Sequence, residues 1–204
     1  KKRMVVIGIT GSIGMGKTTV SNMLKILKIP VFDSDKKVKE ILEKNQKVRK
    51  KIAEIWPDTI SGNDNQEKID KVALSNKIFK SNSAKVKLES IIHPIVRKER
   101  TLFLKKYNGH NIVGLDVPLL YETGTDKKCD YIFLVNTTKN IQKKRVLMRP
   151  NMTEEKFELI NGSQWSFKKK TINGKPFVIS TSYGKTITFF IVLFYLFKIK
   201  LSGK

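Results

Sequence analysis

Residues Gly11-Ser12-Ile13-Gly14-Met15-Gly16-Lys17-Thr18 have the types and spacing to hold a polyphosphate. Glycines let the backbone curl so that its N–H groups point inward at phosphate oxygens, and a helix N-terminus behind them adds a favourable dipole. In this Walker A pattern Lys17 is expected to reach the β- and γ-phosphates, and the Thr18 hydroxyl to ligate Mg²⁺. Phosphoryl transfer also needs a base, a metal carboxylate and cations for the transferring group. Asp33 and Asp35 present two carboxylates on one side of an extended segment and suit the base. Asp116 follows the apolar run Ile112–Leu115 and suits a strand-end metal ligand beside Thr18. Arg145 and Arg149, four residues apart, can face one ligand on a helix, where a guanidinium suits equatorial phosphate oxygens.

Each of these residues has a plainer use as well. Asp33 and Asp35 fit a helix cap ahead of Val38, Ile41 and Leu42. Arg145 and Arg149 lie among lysines and fit a solvated face. His93-Pro94 fits a helix that ends before its proline. The loop excludes more firmly. Its glycines fall as G-x-x-G-x-G-K, not as the G-x-G-x-x-G of a dinucleotide site. The protein-kinase tripeptides His-Arg-Asp and Asp-Phe-Gly do not occur in the sequence. Nor does the Asn-Lys-x-Asp motif by which GTPases read guanine. Small-molecule kinases and NTPases remain.

The elements that must position these residues are legible as alternating patterns. Apolar, β-branched runs occur at Val5–Ile9, Val31–Phe32 after Ile29-Pro30, Ile112–Leu115 and Tyr131–Val135. A helix is predicted from Lys17 through Val20, Met23, Leu24 and Leu27, which recur at helical spacing. Strands alternating with helices predict an α/β fold, a parallel sheet covered by helices on both faces, with ligands outside the carboxyl ends of its strands. Asp33, Asp35 and Asp116 fall at those ends or just beyond. Ser61–Asp70 is predicted as a polar loop with its turn at Gly62, Asn63 and Asp64. The whole reads as one domain over 1–204, with a core at 4–45 and 108–140 and a helical insertion at about 60–106. A charged helical segment at about 141–170 and a C-terminal strand and helix at 176–200 complete it.

The chain has 204 residues, long enough to bury a full core. Its 41 basic against 18 acidic residues give a formal charge of +23. The lysines are spread along the whole chain, which suits steering of polyanionic substrates better than one nucleic-acid patch. No nucleic-acid partner is expected. The one cysteine, Cys129, precludes an internal disulfide and suits a reduced, cytoplasmic location. Beside an apolar run it reads as a packed thiol. Ile187–Phe197 is the one membrane-like stretch, but as a helix it spans only about 16 Å against about 30 Å of hydrocarbon. A helix packed on the core is expected there, with an interfacial segment ending at Lys198 and Lys200 as the alternative.

Five blocks in order resemble the dephospho-CoA kinase family of P-loop kinases. They are Gly8–Val20, Val31-Phe32-Asp33-Ser34-Asp35, Leu88-Glu89-Ser90-Ile91-Ile92-His93-Pro94, Asp116-Val117-Pro118-Leu119-Leu120-Tyr121-Glu122, and Gln142-Lys143-Lys144-Arg145 with Arg149. The resemblance implies that ATP phosphorylates the ribose 3′-hydroxyl of dephospho-coenzyme A, with Mg²⁺ present. Asp35, helped by Asp33, would accept or orient the hydroxyl proton, and the base and metal-linked roles of the pair can exchange. Thr10, Gly11, Ser12, Ile13, Gly14, Met15, Gly16, Lys17, Thr18 and Thr19 would bind ATP together with Arg145 and Arg149, Arg145 from a mobile lid. Thr18 and Asp116 would hold the metal. Lys71, Phe79, His93, Asp116 and Leu120 would lie on the acceptor side, the helical insertion forming much of it. Lys71 stands where the family more often has arginine, which loses a bidentate fork. The family's Ala-Asp and Asn near the C-terminus are replaced by Lys175-Pro176 and Thr181. The rival readings are a nucleoside or nucleotide kinase with the same loop, and a basic nucleic-acid-binding P-loop ATPase.

Overall fold

The structure is a computed structural model that describes residues 3–62 and 68–202. The chain divides into two compact units, Lys1–Asp33 with Lys106–Lys204, and Ser34–Lys105.

The first unit is built on a parallel sheet. Its strands are β1 (Val5–Thr10), β2 (Val31–Asp33), β5 (Ile112–Asp116), β6 (Tyr131–Asn136) and β7 (Phe177–Ser180), in the order β2-β5-β1-β6-β7. Every pairing is parallel, with Ile9 beside Asp116 and Asp33 also beside Asp116. β1 at the centre is buried along all its residues, as an apolar strand covered on both faces must be. Val5, Ile7 and Ile9 point to one face, where α1 (Lys17–Ile26) and α9 (Gly184–Leu201) close a core with Phe133, Val135, Ile179, Val192 and Ile199. On the other face Gly8 lies under Leu120 and Cys129, so tightly that a Cβ there would stand 2.8 Å from Cys129 Sγ. Cys129 is thus a half-buried packing thiol, donating to Thr125 O at 3.5 Å. Between β6 and β7 run α6 (Lys139–Leu147), α7 (Glu154–Gly162) and α8 (Phe167–Gly174), capped by Thr138, Thr153 and Ser166.

The second unit is helical. It comprises α2 (Ser34–Lys44), α3 (Gln46–Ile55), α4 (Lys71–Lys80) and α5 (Asn82–Lys106), whose last residue falls in the first unit. It overlaps the insertion expected at about 60–106 and also holds α3 and α2, the latter expected within the core at 4–45. Ile41, Val48, Ile52, Trp56, Ile69, Leu74 and Ala84 form its core. Asn45 and Asp70 cap α3 and α4, Asp70 accepting from Val72 N and Ala73 N at 2.8 and 3.0 Å.

Three local expectations change. Ser61–Asp70 is not simply loop, because β3 (Ile60–Ser61) and β4 (Lys68–Ile69) pair as an antiparallel hairpin; the expected turn residues Asn63 and Asp64 lie outside the described residues. α5 does not end at His93 but runs through Pro94, so burial of Ile92 and its neighbours outweighs the lost backbone hydrogen bond. The C-terminal helix is longer than Ile187–Phe197, beginning at Gly184 and ending at Leu201.

Candidate active site

The loop between β1 and α1 closes because two of its glycines go where no side chain fits. A Cβ on Gly11 would meet Val135 O at 2.4 Å, and Gly14, at φ 77°, would put one 2.6 Å from Val146 Cγ2. Gly16 is the N-cap of α1 at φ 95° and no side chain caps the helix. A helix start without a side-chain cap leaves its first N–H groups for an anion, with the positive end of the dipole behind them. Lys17 Nζ donates to Gly11 O at 2.8 Å, which folds its ammonium back over the loop. Thr18 is exposed, and Thr10 is buried with Oγ1 donating to Pro118 O at 2.9 Å.

At the strand ends, the register sets Asp33 and Asp116 side by side on β2 and β5. Asp116 is buried, and Ser21 Oγ donates to its Oδ2 at 2.6 Å. Ser21 lies one helical turn after Thr18 and so shares its face of α1. The first turn of α1 and the end of β5 therefore offer hydroxyl and carboxylate oxygens, hard donors of the kind Mg²⁺ takes in small number beside phosphates.

Side chains from α6 to β7 hold the loop's backbone. Gln164 Oε1 accepts from Ile13 N at 2.9 Å, and Gln142 Nε2 donates to Ile13 O at 2.8 Å and to Asn161 Oδ1 at 3.2 Å. Both polar groups of one loop peptide position are thus bracketed. Thr181 Oγ1 donates to Met15 O at 2.8 Å, and Arg145 binds Thr181 twice, Nη1 to Oγ1 at 2.8 Å and Nη2 to O at 3.0 Å. None of Ser21, Asn161, Gln142 or Gln164 was singled out as a site residue from sequence. The helical offset of Ser21 from Thr18 was the one available signal for it.

Behind this bracket lies a buried polar cluster. Trp165 N donates to Glu122 Oε1 at 2.7 Å, and Lys170 Nζ stands 3.7 Å from the same oxygen. Among the described residues Tyr121 Oη, Glu122 Oε2 and Lys170 Nζ are buried with no hydrogen-bond partner. Burial pulls Lys170 below the usual lysine value; the Glu122 charge opposes this and the Lys17 charge adds to it. Burial pushes the Tyr121 phenol up to about 12, helped by the charges of Asp126, Cys129 and Glu122.

Three expected site residues are placed differently. Asp35 does not share an extended segment with Asp33, because β2 ends at Asp33 and α2 begins at Ser34, so the two-residue alternation of a strand does not align the pair. Arg145 is in the last turn of α6, but the helix ends at Leu147, so Arg149 lies beyond it and is exposed. Helical spacing therefore does not aim the two arginines at one ligand. Leu120 is fully buried, packed against Gly8 on the sheet. In the second unit, Asp35 is exposed on the first turn of α2, Lys71 pairs with Glu43, Phe79 is exposed and His93 is half-buried on α5.

The family model for dephospho-CoA kinase matches residues 5–182. A dephospho-CoA kinase of Zymomonas mobilis is 38% identical over 167 residues, covering 82% of this chain and 83% of that protein. Two solved structures share the fold. TT1252 from Thermus thermophilus has a TM-score of 0.82 at 24% identity, covering 97% of this chain and 98% of its own. A dephospho-CoA kinase from Campylobacter jejuni has a TM-score of 0.70 at 21% identity, covering 98% of both chains.

Proposed function

The chain belongs to the dephospho-CoA kinase family and is an ATP-dependent kinase, and from that premise we propose which residues carry the reaction. The reaction moves the γ-phosphoryl group of ATP to the ribose 3′-hydroxyl of dephospho-coenzyme A, leaving ADP and coenzyme A. The loop Gly11–Thr18 binds the triphosphate through its inward N–H groups. Lys17 leaves Gly11 O for the β- and γ-phosphates, exchanging a neutral acceptor for a charged one, which roughly doubles the strength of the bond. Thr18 and Asp116 hold Mg²⁺, with Ser21 fixing the carboxylate by its hydroxyl. The metal supplies charge neutralisation at the phosphate oxygens.

Asp35 accepts the proton of the attacking hydroxyl, and Asp33, beside Asp116 at the strand ends, orients or assists. Both carboxylates are hydrogen-bond acceptors when ionised, as a base must be. Arg145 turns from Thr181 to the transferring group, and Arg149 contributes charge from the turn after α6. Lys71, Phe79 and His93 serve the acceptor: a cation for its phosphates and two rings for its base or pantetheine arm.

The observation that supports this reading most is the bracketed loop, held at Ile13 and Met15 and open at the start of α1. The test is release of ADP from ATP with and without dephospho-coenzyme A. Release is expected to depend on dephospho-coenzyme A, and equal release without it would sink the assignment.

A further inference from the structure

α9 carries an apolar surface that the kinase reaction does not use. One side of the helix packs on the sheet through Thr188, Val192 and Ile199, with Phe189, Ile191, Tyr195 and Leu196 partly buried beside them. On the other side Ile187, Phe190, Phe194, Phe197 and Leu201 are 49%, 65%, 57%, 59% and 69% exposed. Scattered exposed apolar residues need no explanation, but these follow one another at three- and four-residue steps and form one stripe along the helix. Tyr183, 68% exposed, stands just before it. Lys185, Lys198 and Lys200 are all exposed, and Lys198 Nζ lies 5.6 Å from the centroid of the Phe194 ring. The helix Gly184–Leu201 contains no Asp or Glu.

We propose that this stripe docks α9 flat on an anionic lipid bilayer, phenylalanines in the headgroup–acyl boundary and lysines against the headgroup phosphates. Apolar residues on one side, lysines at the edges and aromatic rings between are what an in-plane interfacial helix requires. The helix lies on the membrane and does not cross it: no helix among the described residues is long and apolar enough to span.

A second copy of the chain fits the stripe worse. Pairing two such stripes in parallel brings Lys198 and Lys200 against the partner's own lysines, and α9 offers no acid to relieve them. The stripe also spans only two heptads, short of a stable coiled coil. A single acidic peptide would engage the lysines of α9 but not a formal charge of +23 spread over the whole chain, which is complementary to an extended anionic surface.

The test is flotation of the full chain with phosphatidylcholine vesicles and with phosphatidylcholine–phosphatidylglycerol vesicles. The protein is expected to float with the phosphatidylglycerol vesicles alone and to be released by raised salt. A Phe190→Ser/Phe194→Ser/Phe197→Ser variant is expected to lose at least about tenfold in vesicle affinity while its ADP release is unchanged. A Lys198→Glu/Lys200→Glu variant leaves the stripe intact and is expected to lose phosphatidylglycerol binding too, so the proposal stays testable if the serine variant does not fold. Three results overturn it: no flotation with phosphatidylglycerol vesicles, flotation undiminished in both variants, or a concentration-dependent dimer in sedimentation that the serine variant abolishes. Because vesicle binding and ADP release are read separately, failure here leaves the kinase reading standing.

Discussion

Lysine–glutamate pairs occur in both units, and Glu122–Lys170 in the sheet unit is built differently from Glu43–Lys71 in the helical one. In the sheet unit Glu122 and Lys170 stand 3.7 Å apart, with side chains 14% and 1% exposed. In the helical unit Glu43 and Lys71 are in direct contact, with side chains 48% and 54% exposed. The Lys71 hydrogen bond holds Glu43 below the usual carboxylate range, while burial pulls Lys170 below the usual lysine value. Distance alone would rank the exposed pair first. Burial reverses the ranking, because water screens the exposed charges and leaves the buried ones dependent on each other.

The largest expected effect tests that reversal. Lys170→Met leaves Glu122 as an uncompensated buried charge and is expected to cost about 3–5 kcal/mol in chemical denaturation. Adding Glu122→Gln removes the charge and should recover most of the loss, since Trp165 N still finds an amide oxygen there. Lys71→Met should leave the denaturation midpoint where it was. If the two single variants lose equal stability, burial is not what separates the pairs.

The same contrast separates the candidate residues of the two units. On the nucleotide side Gln142, Gln164 and Thr181 hold the loop's backbone at Ile13 and Met15. In the helical unit the candidate residues Asp35, Lys71 and Phe79 lie exposed. Substitutions should then differ in kind between the units. Lys17→Ala and Asp35→Asn are each expected to lower kcat at least about a hundredfold with the fold retained, from lost charge stabilisation and lost base respectively. Near-normal turnover in Asp35→Asn would remove Asp35 from the reaction. Gln164→Ala touches binding instead. With Ile13 N no longer held, KM for ATP is expected to rise about tenfold and kcat to change little. An equal fall in kcat would mean that the bracket acts on the transition state and not on the ground-state loop.

The sheet unit was legible because its signals are local. Val5–Ile9 is an apolar run that favours burial on both faces, and Gly11–Thr18 carries its backbone geometry in its glycines. Asp33 and Asp116 fall at strand ends and Arg145 on a helix, as their local patterns predict, whereas Asp35 leaves the extended segment expected for it because α2 begins at Ser34. What sequence could not show depends on pairs distant in the chain. Ile13 meets Gln142 and Gln164 across more than a hundred residues, and Glu122 meets Lys170 in a buried contact that no periodicity announces. Pro94 misled in the other direction, since the propensity that should end α5 is local and the packing that carries the helix through is not. The spacing argument for Arg149 fails for a related reason. Four-residue spacing has meaning only inside a helix, and α6 stops two residues before it.

The smallest effect concerns the third member of the buried cluster. Tyr121 is 6% exposed, stacks on Trp165 at 6.1 Å and leaves its hydroxyl without a partner among the described residues. A phenol raised from 10 to about 12 keeps its proton in the folded protein after the unfolded chain has released it. Between those values the folded state binds more protons, so the contribution of Tyr121 to stability falls as pH rises and levels off above about 12. Tyr121→Phe has no such proton. At neutral pH it should be as stable as the parent or slightly more so, because it removes an unsatisfied buried hydroxyl and keeps the ring on Trp165. Above pH 10 the variant should hold its stability better than the parent, and the difference between the two denaturation curves isolates the phenol from the many lysines titrating there. If the difference does not grow with pH, the hydroxyl is solvated and the cluster around Glu122 is wetter than its packing shows.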